Sequence, residues 1–138
     1  MALTAKQVQG DVYRMLRDSS LRKAITGGIY REGMRPRGSQ TEDAIVIFSS
    51  GLAEEVQSGV VTIQLYSPDI APWGNGVWVE DAARTEQLEQ MAQQWVDSLT
   101  AQKSCYLFRL QQTIYTETDD EIHQHFVVVK LAYRYFNN

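Results

Sequence analysis

The chain has 138 residues, 43% of them hydrophobic and 22% charged, and a net charge of −4. That length predicts one domain over residues 1–138 with a core of its own. The acidic balance argues against electrostatic grip on nucleic acid as the main task. The single cysteine, Cys105, excludes an internal disulfide and a CxxC motif.

The N-terminus lacks an apolar signal core, and no stretch approaches the roughly 18–20 apolar residues of a membrane span. These features predict a soluble protein of a reducing cytoplasm.

In chain order, Thr4 and Gln7 fit a capping box. Val8, Val12, Met15 and Leu16 follow at helical spacing. Asp18-Ser19-Ser20 predicts a stop and a new cap before a short helical piece over Leu21–Ile25. Gly27-Gly28 then ends it and lets the chain turn into a strand from Ile29 to about Glu32.

A polar insert follows, basic at Arg31, Arg35 and Arg37 and acidic at Glu42-Asp43. The next strand, Ala44–Ser49, is apolar on both faces, which predicts an interior position in a sheet. Ser58–Tyr66 alternates as a third strand, and Ser67-Pro68-Asp69 stops it.

Residues 69–82 form a second irregular segment, with Trp73 and Trp78 bracketing Gly74-Asn75-Gly76. Asp81 or Thr85 caps the next helix. Its Leu88, Met91, Ala92, Trp95, Val96 and Leu99 share one face. Ser104–Thr116 and Ile122–Phe136 read as a long antiparallel hairpin around the turn Thr118–Glu121. The expected fold is α+β, in the order α-β-β-β-α-β-β. About five mostly antiparallel strands carry two main helices on one face.

No phosphate-cradle motif is present. His123 and His125, spaced i, i+2 on a strand, have metal-chelating geometry beside an acidic turn, against the plainer reading of solvated histidines. A metal also needs further ligands, and none is assigned. Cys105 lies in an apolar run where a buried, inert thiol is expected. No acid–base or nucleophile constellation is readable, so no enzyme activity and no cofactor are expected. Trp73 and Trp78 either anchor a partner or fold back over the core.

A layout emerges from several pieces. They are Asp11-Val12-Tyr13-Arg14-Met15-Leu16, Ile25-Thr26-Gly27-Gly28-Ile29-Tyr30, Arg35-Pro36 and Glu42-Asp43-Ala44-Ile45-Val46-Ile47. Gln57-Ser58-Gly59-Val60-Val61, Tyr66-Ser67-Pro68-Asp69, the second long helix and the terminal strand Phe126–Phe136 complete it. In this layout the chain resembles the tail-completion (tail-terminator, minor tail protein U-like) family of head–tail joining proteins of bacteriophages and prophages. The segment PWGNGVWVE falls outside the family pattern.

The resemblance implies an α+β structural protein that forms a ring, commonly hexameric. The ring would cap the tail tube and meet the head connector, with DNA only passing through its lumen. It also implies assembly in the cytoplasm and residence in the virion tail. On this reading Arg31, Arg35, Arg37, Glu42, Asp43, Trp73 and Trp78 are interface residues, and the charge-split loop Arg31–Asp43 is an assembly loop. The alternative is a small non-enzymatic adaptor using the Arg35/Arg37 or the Trp73/Trp78 loop.

Overall fold

In a computed structural model that describes residues 2–102 and 104–136, three helices lie on one face of a six-stranded mixed sheet. Helix α1 (Ala5–Arg17) starts in the expected capping box. The Thr4 side chain accepts from the Gln7 N–H at 3.3 Å, and the Gln7 side chain accepts from the Thr4 N–H at 2.8 Å. Its Val8, Val12 and Leu16 are fully buried, contributing about 1.5–3 kcal/mol each. Helix α2 (Ser20–Ala24) is one short piece after the stop. Helix α3 (Ala82–Ala101) is capped by Asp81, whose carboxylate accepts from the Arg84 N–H at 3.2 Å. It buries Leu88, Ala92, Trp95, Val96 and Leu99 along one face.

The strands are β1 (Ile29–Arg31), β2 (Ala44–Leu52), β3 (Gln57–Pro68), β4 (Tyr106–Leu110), β5 (Tyr115–Asp119) and β6 (Gln124–Tyr135). Their order is β1-β2-β3-β6-β4, and β5 pairs with the remaining length of the same edge of β6. The α+β class and the interior place of β2 agree with the sequence reading. Three details differ. There are six strands among the described residues where about five were expected. The expected first arm of the hairpin is two strands, because residues 111–114 leave the ladder between Leu110↔Leu131 and Tyr115↔Val128. The pairing of β1 with β2 is parallel, Ile29↔Ala44 to Arg31↔Val46.

That parallel pair explains the length of the polar insert. A chain leaving the far end of β1 must travel back before it can start β2 in the same direction, and no tight hairpin can do that.

Strand alternation sends Ala44, Val46, Val61, Ile63, Leu65, Val127, Val129, Leu131 and Tyr133 under the helices into the main core. Tyr66, Phe126 and Val128 point the other way and form a smaller cluster with Ile45 and Tyr115. The same alternation corrects the reading of Cys105. Tyr106 and Phe108 face the core, so Cys105 and Leu107 are turned out and exposed. The Tyr106 hydroxyl donates to Asp11 at 2.7 Å, tying β4 to α1. Burial, then that hydrogen bond, raises its pKa far above the usual tyrosine value. No helix among the described residues is long and apolar enough to cross a membrane.

Candidate functional site

Both irregular segments sit at one end of the sheet, beyond the C-terminal end of β3 and the N-terminal end of β6. The first, residues 32–43, crosses the open face of the sheet. Glu42 and Asp43 are consecutive in extended chain leading into β2, so their side chains point to opposite faces. Each finds an arginine there.

On the open face, Asp43 is fully buried. Its carboxylate accepts from Arg35 Nε at 2.8 Å, Ser39 Oγ at 2.5 Å, Thr41 Oγ1 at 2.9 Å and the Gly28 N–H at 2.9 Å. Burial by itself would raise the Asp43 pKa. The bonds from Ser39, Arg35, Gly28 and Thr41 outweigh it, and the pKa lies below the usual carboxylate value. Arg35 also donates through Nη2 to Gln124 Oε1 at 2.8 Å and to the Thr41 carbonyl at 3.1 Å. Its guanidinium carbon lies 4.2 Å from the centre of the Tyr66 ring. Gln124 completes the knot by donating to the Ser39 carbonyl at 2.7 Å.

On the helix face, Glu42 takes a forked bond from Arg84, at 2.6 Å from Nε and 2.8 Å from Nη2. Arg84 Nη2 also donates to the Ala24 carbonyl at 2.8 Å, so this pair joins α2, the loop and α3. The hydrogen bond that Arg84 donates to Glu42 is the main cause of its raised pKa.

Gly27 permits the knot. A Cβ there would collide with Asp43 Oδ1 and would stand 2.6 Å from the Glu42 carbonyl oxygen. The glycine is demanded by close approach, where the sequence suggested a turn.

These contacts correct most of the expected basic and acidic interface. Arg35, Glu42 and Asp43 are spent inside the fold. Arg31 packs on α1 with its guanidinium 5.5 Å from the Tyr13 ring. Arg37 alone of the three loop arginines is exposed, and it makes no ion pair among the described residues. The three arginines are not brought together.

The second segment behaves in the opposite way. Its feet are joined by paired backbone bonds between Ile70 and Val79, both 2.9 Å. Below them His125 Nδ1 lies 2.6 Å from Asp69 Oδ1, and Nε2 lies 3.9 Å from Glu80 Oε1. His125 therefore braces both feet of the loop. Trp73 and Trp78 are 66% and 51% exposed, so neither closes the core. Trp78 stacks on His123 with ring centres 6.1 Å apart.

The chelating geometry expected of His123 and His125 does not form. His123 lies in the turn before β6 with φ of 52°, outside strand alternation. No group of three possible metal ligands occurs among the described residues. Two residues central to the knots, Gln124 and Arg84, were not singled out from sequence. Arg84 did leave a signal. A cation in the first turn of a helix has the wrong sign for the helix dipole and calls for a nearby carboxylate.

An α+β domain with one knotted loop and one exposed aromatic loop is thus what the fold and site define. No family profile matches the chain, and no curated protein matches it. Among solved structures, one chain known only by a sequence identifier aligns over 96% of both chains, at 17% identity and a TM-score of 0.44.

Proposed function

We propose that the protein is a structural assembly component of a bacteriophage or prophage tail. It forms a ring that terminates the tail tube and joins it to the head, with no catalytic step of its own. The observation that carries this reading is where the family-like residues sit. Gly27, Gly28, Arg35, Glu42 and Asp43 belong to the resemblance, and all of them serve the two knots that shape the loop. A pattern spent on holding backbone in place fits an assembly protein better than a reaction centre. The contact surface in this proposal moves from Arg35, Glu42 and Asp43 to Trp73, Trp78 and Arg37.

A monomeric adaptor using the Trp73/Trp78 loop is the second reading, favoured by the exposure of both tryptophans. Deleting the gene from a tail-producing prophage separates the two. The tail reading expects tails and filled heads that fail to join, visible by negative stain. Normal virions from the deletion strain would refute it. Native mass spectrometry of the purified chain, alone and with tail-tube protein, provides the biochemical counterpart: a closed ring in either sample supports the proposal.

A further inference from the structure

The aromatic loop has a counterpart at the other end of the same sheet. A cleft of about 740 Å³ opens there on the face away from the helices. It is lined by the apolar Val60 and Leu107, by Arg109 and Arg134, and by Glu54 and Glu55. Leu107 is 53% exposed although it projects from a strand between core-facing aromatics. The loop and the cleft are separated by most of the length of β3, roughly 30 Å at the usual rise per residue, so they cannot meet within one molecule.

We infer that the Trp73–Trp78 loop of one copy docks in this cleft of a second copy. Three features favour another copy of this chain as the occupant. The ten residues Ile70–Val79 carry no charge, which suits the apolar Val60 and Leu107. Asp119 at the end of β5 and Asp120 and Glu121 in the turn after it lie beside the loop, reached through the Asp69 N–H bond to the His123 carbonyl, and have the right sign for Arg109 and Arg134. Exposed Arg37 lies in the first loop at the same end and has the right sign for Glu54 and Glu55.

The surfaces differ and lie at opposite ends, so the contact is head-to-tail and propagates into a ring or a filament. The inference deepens the assembly reading above and rests on it for ring closure.

The native thiol supplies a test. Cys105 is exposed on β4's approach, with the same strand parity as Leu107 and Arg109 of the cleft. An Asn75→Cys variant, treated with a short bismaleimide, is expected to give multimers. Their digests should contain peptides linked between positions 75 and 105. Adding Cys105→Ser should remove those links. Trp73→Ala/Trp78→Ala and, separately, Arg134→Glu should weaken self-association at least about tenfold, as expected for an anchor, with unchanged thermal unfolding.

Multimers lacking the 75–105 link, or unaffected by these substitutions, would overturn the inference and leave the tail reading standing on another surface. A strict monomer at high concentration would overturn it as well. Linked multimers that fail to bind tail-tube protein would sustain the inference and count against the tail reading.

Discussion

The two loops at the β3–β6 end invert what their compositions suggest. Residues 32–43 are polar and charged, yet Asp43 is fully buried and Glu42 is 7% exposed. Residues 70–79 are uncharged and carry two tryptophans, yet the tryptophans stand in solvent. The difference lies in what each segment must satisfy. The first is a crossover between parallel strands and passes over sheet, so its polar groups need partners in place. The second is a projection held only at its feet. Charge in a loop says that a partner is required, and that partner can belong to the same chain.

Asp43→Ala would break this contrast most severely. It removes the acceptor of four donors and leaves the largely covered Arg35 without its counter-charge, so a loss of about 3–5 kcal/mol is expected in urea unfolding. The same residue sets an acid limit. Its folded pKa is lowered, so its contribution is fully present above the unfolded value of about 3.9 and disappears as pH falls through the folded value. Stability measured from pH 6 downward should therefore drop below about pH 4, and Asp43→Asn should be less stable at pH 6 but lack that component of the drop.

Gly27→Ala ranks next. Its methyl group meets a carboxylate oxygen and a backbone carbonyl, and a cost of about 1–3 kcal/mol is expected. A wild-type melting curve for this variant would show that the loop can yield.

Arg84→Met should cost less, about 1 kcal/mol, because the pair is partly open to solvent. Its local effect should appear as faster amide exchange at Thr26 and Gly27, whose N–H groups bond to Glu42. Trp73→Ala comes last, within about 0.5 kcal/mol of wild type in unfolding. A large loss there would show that the aromatic loop is structural after all.

Local chemistry was legible where the physics is local. The Thr4–Gln7 box, the Asp81 cap and the period of α3 depend on residues a turn apart. The interior position of β2 could be read from Ile45, Val46 and Ile47 being apolar on both faces. The covering of Arg35 could not be read. It depends on Gln124, 89 positions away, and on Tyr66 from a third element. Alternation could have carried the reading one step further, since adjacent Glu42 and Asp43 must face opposite sides and cannot form one acidic patch. The split between β4 and β5 and the turn position of His123 depend on the register against β6, which a single sequence does not display.

The placement of β6 has a consequence for biosynthesis. Of the six described strands, the last to leave the ribosome lies inside the sheet, with β3 on one edge and β4 and β5 on the other. It also brings Gln124 to the loop formed some 85 residues earlier. Until it emerges, β3 offers a bare edge and Arg35 lacks part of its cage. The nascent chain therefore stays open to proteases until β6 is made, and pairing so distant in sequence makes this closure slow. Polypeptides cut short before β6 lack the centre of the sheet, so loop closure reports that translation has passed that strand.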